Sequence, residues 1–442
     1  MQDKRDDFLV IGAGAAGLAA AAELAAAGRS VLVLEARDRI GGRIWTRSEP
    51  GIPVPIELGA EFIHGEPDAT FALLRRFGVP AVDTQGPHWT CRSGRVSVRG
   101  TIFKRVESAL RSNRGRLRAR DLGFEEFLAR IPPARLPRDA RALAIALVEG
   151  FDAADPVQVS ARSIVDEWVG GEALDAPQFR PLGGYGALLA PLAAMLEQRG
   201  ARLQLHSVVR EVRWEAGAIE VEGVRLGEAF RVRAKRAIVT LPLGVLQLPP
   251  GAPGAVRFDP PLAGKDKPLR QLGSGPVLKA VMRFGEAFWE RAARGSCRDA
   301  AFFHVPDAPF PTFWTALPVR VPLLVAWAGG PRAARLAGAD RDEVLEVALA
   351  SLRSALGARI ARRMRLESAV LHDWQQDPFA RGAYSYVRTG GGTARRALAR
   401  PLQHTLYFAG EATDFRREAG TVAGALQSGQ AAARAALSGR GR

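Results

Sequence analysis

The spacing of apolar residues changes several times along the chain, and each change marks an element. FLVI (8–11) is a short unbroken apolar run, as a strand buried on both faces needs. Residues 15–27 are Ala-rich, carry Leu18 and Leu24, and run into Gly28, which predicts a helix closed by glycine. SVLVL (30–34) is a second strand of the same buried kind. The opening therefore reads as strand, turn, helix, strand. Residues 67–200 are mostly helical in pattern, with a break at RIPPARLP (130–137) and a capped helix at 182–200 closed by Gly200. Residues 201–242 alternate strands with Gly turns, a meander feeding back into a sheet. Phe, Trp and Pro crowd residues 284–330, which predicts an aromatic-lined second sheet. Residues 339–356 form an amphipathic helix, and the chain closes with a strand (406–410), a loop and a helix (421–437). No internal repeat is visible.

At 442 residues the chain exceeds one simple core, so two or three domain-sized units are expected. Its 47% hydrophobic and 24% charged residues are ordinary for a soluble globular protein. No apolar run reaches the length of a membrane span, and the polar start MQDKRDD lacks the apolar core of a secretory signal. A cytoplasmic protein with no membrane partner is the expectation. Cys91 and Cys297 lie far apart in sequence and make neither a disulfide framework nor a metal cluster; unrelated thiols and no metal are expected. The net charge is +16, but only six of the 62 basic residues are Lys. With the abundant Ala, that excess of Arg looks like coding bias. The densest stretch, RSNRGRLRAR (111–120), reads as a solvated basic face, with an anionic-partner patch as the alternative. No nucleic-acid partner is expected.

The sharpest motif is Gly12-Ala13-Gly14-Ala15-Ala16-Gly17. Gly12 permits the tight turn, Gly14 lets the backbone approach a pyrophosphate, and Gly17 lets the helix pack on the strand. The helix start, through Ala15 and Ala16, offers N–H groups to phosphate. Alone this pattern is weak. Here it lies between a strand and a helix, and Glu35 ends the second strand where a ribose acceptor belongs. The acid at Glu35 fits NADP poorly, and NAD and FAD remain. The run Glu35-Ala36-Arg37 to Gly41-Gly42-Arg43 then adds a second Gly pair with an Arg, a source of further pyrophosphate contacts.

At this point the chain resembles the flavin-containing amine oxidase family, which includes monoamine oxidases, polyamine oxidases and lysine-specific histone demethylases. ELGAEFIHG (57–65), IVTLPLGVLQ (238–247), LGSGPVLKAVMRF (272–284), DWQQDPFARGAYSYV (373–387) and LYFAGEATDF with GTVAGALQSG (406–429) resemble its blocks, in the family's order. The resemblance implies FAD. It implies that Glu35 holds the adenosine ribose and that Arg37, Gly42 and Arg43 lie on the pyrophosphate side. Gly59, Ala60, Glu61 and Phe62 would pass along the flavin, and Val209 would meet adenine through its main chain. Glu411 would bind near the pyrophosphate and ribityl chain. Thr421 and Val422 would open the last helix toward flavin N1 and O2, where an anion develops. Lys279, embedded in apolar VLKAVMRF, is the catalytic candidate; a buried Lys is costly without a partner or a task, although an edge lysine can snorkel to solvent. The family's matching lysine holds a water against flavin N5. Ala383 stands where monoamine oxidases bond a cysteine to the flavin, so non-covalent FAD is expected.

Tyr384 would be one wall of an aromatic cage, but Thr421 stands where monoamine oxidases have the second tyrosine. GAYSYV and GTVAGAL look closer to polyamine oxidases and demethylases. His64 is a further substrate-side candidate, and Trp374 resembles a family tryptophan near the flavin and would border cofactor and substrate; packed core residues are the alternative for both, and Glu66 is a weaker candidate. Phe302, Phe303, Phe310, Phe313 and Trp314 would suit a substrate wall or plain packing.

The expected fold is α/β: a discontinuous Rossmann-type FAD-binding domain (1–75, 198–285, 365–442) and a substrate domain of antiparallel sheet flanked by helices (76–197, 286–364). The expected reaction is oxidation of a polyamine or monoamine to an imine, hydrolysed to an aldehyde, with oxygen reduced to hydrogen peroxide, in a monomer or homodimer. The demethylases' added domains have no room in this length, which argues against a chromatin role. Three alternatives stay open. One is an amino-acid oxidase or desaturase of the same superfamily, the former needing an Arg clamp for the carboxylate. The others are a dehydrogenase using another acceptor, and a non-enzymatic flavin-binding scaffold or sensor.

Overall fold

Residues 8–11 of strand Asp6–Ile11 are apolar on both faces, and both faces are covered. The computed structural model describes residues 6–92, 95–98, 102–170 and 176–439; the polar residues 1–5 lie outside them. Asp6–Ile11 runs parallel between Val31–Leu34 and Glu228–Val239. Arg202–Gln204 extends the parallel sheet on one side, and Leu406–Phe408 pairs parallel with the end of Glu228–Val239 on the other. Phe8 and Val10 pack against a layer formed by helices Ala15–Ala26, Gly186–Gln198 and Val422–Ser438. Leu9 and Ile11 point the other way, into a core shared with Val209, Val212, Ile219 and Val221 of the meander. The meander itself is Ser207–Glu215, Ala218–Arg225 and Glu228–Val239, paired antiparallel in that order.

A second, mostly antiparallel sheet has the order Leu366–Asp373, Val277–Phe284, Leu323–Gly329, Thr312–Thr315, Phe302–His304, His88–Arg92, Arg95–Val98, with one parallel pair between Phe302–His304 and His88–Arg92. The crowding of aromatics at 284–330 does mark this sheet. Two of its strands, Val277–Phe284 and Leu366–Asp373, fall in pieces that the sequence reading grouped with the nucleotide half. Alternation alone fixes the period of a strand, not which sheet receives it. Helix Arg341–Leu356, capped by Asp340 accepting from Glu343 N at 2.8 Å, covers the sheet's outer face. Leu278, Ala280, Met282 and Phe284 point into that core, so the period of two turns Lys279 to the inner face.

Helices Ile102–Asn113, Phe124–Ala129, Arg138–Gly150 and Ala161–Gly170 form a third packed group around Phe124, Phe127, Leu128 and Trp168. The stretch read as mostly helical also contains short strands, Ala81–Asp83, His88–Arg92, Arg95–Val98 and Gln178–Pro181. These runs are too short to show a period in sequence; Ala81–Asp83, His88–Arg92 and Gln178–Pro181 pair with strands remote along the chain, and Arg95–Val98 pairs back on His88–Arg92. The cysteines are not unrelated in space. Cys91 and Cys297 are fully buried in the core under the second sheet, where burial pushes both thiols up, to about 12 and about 11, and Cys297 adds to the shift at Cys91. Among the described residues no helix is long and apolar enough to cross a membrane.

Candidate active site

One cavity of about 1320 Å³ runs from the N-terminal turn to the inner face of the second sheet and on to the helical group. At its first end, Gly12 has φ +107°, and a Cβ on Gly17 would lie 1.9 Å from Gly12 O, so the turn and the helix–strand approach both require glycine. Gly17 is thus packed behind the turn rather than on the cavity wall. Gly14 and Gly42 face each other across the start of helix Ala15–Ala26; a Cβ on Gly42 would sit 3.5 Å from Gly14 Cα. Backbone is bare there, over a helix end with no side-chain cap. The buried Glu35 carboxylate accepts from Ala13 N at 2.8 Å and from Arg37 N at 3.0 Å; burial nonetheless raises its pKa. Ala36 lines the cavity beside it, and His206 N and Ser207 N bond to the carbonyls of Arg37 and Glu35, bringing Val209 to the same wall.

Arg37 and Arg43 line the cavity but are already paired within the protein. Arg37 Nη2 donates to Asp377 at 2.6 Å; burial opposes that carboxylate's charge, but His372 and Arg37 hold its pKa far below the usual range. Arg43 Nη1 donates to Glu411 Oε1 at 2.8 Å and to Ala383 O at 2.6 Å. Glu411 Oε2 accepts from Ser385 N and Oγ at 3.2 and 2.6 Å. Burial disfavours the Glu411 charge, but Arg43 and Arg395 outweigh it and depress the pKa. Thr421 caps the last helix by accepting from Gly424 N at 3.0 Å while Thr421 and Val422 line the cavity, so the cap and the wall are one feature.

Lys279 is 1% exposed and meets the cavity from beneath. Its Nζ donates to Gly59 O at 3.0 Å and to Glu61 Oε2 at 2.7 Å, and lies 5.3 Å from the Trp314 ring centroid. Glu61 Oε1 accepts from Arg180 Nε at 2.9 Å and Trp314 Nε1 at 3.0 Å. Burial opposes the charge on Glu61, yet Lys279 and Arg180 together hold its pKa below the ordinary value. The Glu61 side chain therefore orients Lys279. Arg180 was not legible as part of this site, since it is 119 residues from Glu61 and one of many arginines.

The remaining candidates surround the same space. Trp374 donates to Leu58 O at 2.9 Å, which sets its ring under Gly59 and Ala60. Tyr384 OH donates to Phe151 O at 2.5 Å, and burial pushes the phenol up. His64 packs edge-on to Phe151 with its Nδ1 3.4 Å from Gln178 Nε2, and burial pushes it down to about 4, a neutral imidazole near neutrality. Phe62 packs with Phe302 and Trp314 as an aromatic wall, whereas Phe303, Phe310 and Phe313 are core. Glu66 is exposed and off the cavity. Two acids that the sequence reading did not single out, Asp152 and Glu167, also line the cavity, as does Arg395.

The bare Gly14–Gly42 backbone, the helix end beside Glu35 and a cavity long enough for a dinucleotide fit FAD. The chain's relatives point the same way. The family model for flavin containing amine oxidoreductase matches residues 15–147 and 124–437. Human lysine-specific histone demethylase 2 is 30% identical over 95% of this chain, and Arabidopsis thaliana polyamine oxidase 2 is 27% identical over 98% of it. The chain spans 52% of that demethylase and 88% of that oxidase. Among solved structures, a putrescine oxidase with putrescine bound and a cyclohexylamine oxidase from Brevibacterium oxydans IH-35A each superpose with TM-score 0.79 at 22% identity, covering 98% of this chain and 99% of theirs, and so share its fold. Sequence blocks, fold and cavity agree, and the chain belongs to the flavin-containing amine oxidoreductase family.

Proposed function

We propose that this chain oxidises a small amine, polyamine or monoamine, to an imine that water hydrolyses to an aldehyde, with FAD held non-covalently and oxygen reduced to hydrogen peroxide. The observation that carries the reading is that the glycine turn, Lys279 and Tyr384 open onto one continuous cavity. Bound FAD supplies the two-electron acceptor for the hydride equivalent leaving the amine α-carbon. Glu35 and the start of helix Ala15–Ala26 would hold its adenosine and pyrophosphate part. Glu411, through Arg43 and Ser385, would order the middle, and the Thr421–Val422 helix end would favour negative charge at the far ring. Lys279, fixed by Glu61 and Gly59 O, would orient a water at the reacting edge. Tyr384 and Trp374 would flank the substrate, while the neutral His64 and the Phe62 wall keep the pocket apolar and receptive to an uncharged reacting amine.

Non-covalent binding is supported by Ala383 on the cavity wall and by both cysteines lying in a core away from it. An amino-acid oxidase would need a spare guanidinium. Arg37, Arg43, Arg114, Arg162 and Arg395, on the cavity wall, are engaged with Asp377, Glu411, Asp166, Leu117 O and Ser385, and Arg417, the further arginine on the wall, is partnered as well. The test is a peroxide-coupled screen of monoamines, polyamines and amino acids on the flavin-loaded chain, with acid release of the flavin. Peroxide with an amine and release of free FAD are the expected results. Absence of flavin bleaching with every amine would remove the amine-oxidase reading.

A further inference from the structure

A second buried lysine lies off the cavity and has no part in the reaction proposed above. Lys265 is 2% exposed and precedes helix Asp266–Gln271. Its Nζ donates to Ala397 O at 3.1 Å, to Leu398 O at 2.8 Å and to Arg400 O. These carbonyls lie at the end of helix Ala394–Ala399, where oxygens run out of donors within the helix. All three N–H donors of one ammonium are therefore spent on one helix end. The same Nζ lies 4.3 Å from the centroid of the Phe408 ring, on strand Leu406–Phe408.

Both elements that meet at Lys265 lead to the cavity. The other end of helix Ala394–Ala399 carries Arg395, which lines the cavity and donates to Ser385 Oγ and O at 2.6 and 2.9 Å. Ser385 in turn donates to Glu411 Oε2 through its N and Oγ. From Phe408 the chain runs through Ala409 and Gly410 to Glu411 itself. Ala394 and Leu398 share a small core with Ala412, so the helix and the segment that bears Glu411 are packed on each other. One ammonium thus fixes the far ends of the two elements whose near ends hold the Glu411 carboxylate.

We propose that Lys265 is a positioning residue for FAD: by closing helix Ala394–Ala399 and seating on Phe408, it sets Arg395 and Ser385 against Glu411 and so shapes the wall that grips the middle of the cofactor. The proposal rests on the placement of Glu411 beside FAD given above. Burial, and then the charge of Arg400, push the Lys265 ammonium down to about 8. Arg400 is the charge that acts on it from the helix end, while the strand side brings only the Phe408 ring. Above that value the amine keeps two N–H donors for three carbonyls, and one oxygen faces a lone pair. An FAD-bound state that needs all three donors favours the ammonium, so affinity for FAD falls as pH rises through that value.

The test is the dissociation constant of the FAD-loaded full chain, read from flavin fluorescence on dilution. Lys265→Met should weaken FAD binding about tenfold at neutral pH, through loss of a charged set of hydrogen bonds. In an Arg395→Gln background the same change should weaken it less than about twofold, because the route through Arg395 is already cut. A lysine that only supports the fold would weaken both backgrounds equally, and that result would overturn the proposal. In the unaltered chain the constant should rise with pH through about 8, and in Lys265→Met it should not. A flat profile in the unaltered chain overturns the proposal even where Lys265→Met fails to fold. Glu411→Gln separates the two readings. Unchanged affinity there would sink the placement of Glu411 beside FAD and the proposal with it. Loosened FAD there, with Lys265→Met at full affinity, would sink the role of Lys265 alone.

Discussion

Single residues carry the chemistry here through partners that sequence does not display. Lys279 stood out as a buried cation in an apolar strand, but its orientation comes from Glu61, and Glu61 is itself held by Arg180 and Trp314. Lys279→Met should slow flavin reduction or reoxidation by on the order of 10²-fold, as measured by stopped-flow absorbance; unchanged rates for both steps would remove its role. The Glu61 pKa is depressed in the folded state. The stability that Glu61 contributes is therefore present above its ordinary value and lost as pH falls through the folded one. Glu61→Gln should lower the melting temperature at neutral pH, by a few kcal/mol of stability, and flatten the acid loss. His64 has the opposite charge type and the same sign. It is pushed from 6.5 to about 4, so over that interval the unfolded chain binds the extra proton and stability is lost as pH is lowered. Melting curves of His64→Phe should lack that part of the slope. Glu35 and Lys279 were legible as candidates because each is a charged residue set at the end of or inside an apolar strand, whereas Ala383 was a candidate only through the family resemblance. The acids Asp152 and Glu167 were not legible, because an acid on a helical stretch reads as a solvated face until the fold closes around it.

Among the elements, the two helices whose starts open on the cavity support each other. Helix Val422–Ser438 crosses helix Ala15–Ala26 at Gly429, where a Cβ would lie 2.1 Å from Ala16 O. Gly429→Leu should push the helix starts apart, lower the melting temperature and weaken FAD retention on gel filtration. A variant that keeps its flavin and its stability would show that the crossing tolerates slack. Thr421→Ala removes the cap bond to Gly424 and should cost about 1 kcal/mol. The strong helices and the first strands were readable because period and capping agree. The short strands Ala81–Asp83 and Gln178–Pro181 were not, since three or four residues carry no period and their pairing is set by remote chain. Strand Val277–Phe284 was legible as a strand, but the sheet it joins was not, because a mostly apolar run suits either sheet.

For the molecule as a whole, the cavity lies where the parallel sheet, the second sheet and the helical group meet, so filling it should tighten all three. Saturating FAD at about 100 times its Kd should add about 2.7 kcal/mol to the folded state and raise the melting temperature by several degrees over the flavin-free chain. A melting point indifferent to FAD would contradict the fit. The fold class was legible from the order of motifs, while the meeting of three layers was not, because no local pattern encodes long-range docking. The buried thiols have a consequence at this scale. The proposed reaction would release peroxide in the protein's own interior, where any thiolate within reach would be damaged first. Cys91 and Cys297 sit in a dry core on the far side of the second sheet's wall, with pKa values so high that almost no thiolate exists at physiological pH. An aromatic disulfide reagent should find no reactive sulfur in the native chain and two after denaturation. Under the proposed reaction, loss of flavin or of fold, rather than oxidation of cysteine, would then limit the working lifetime.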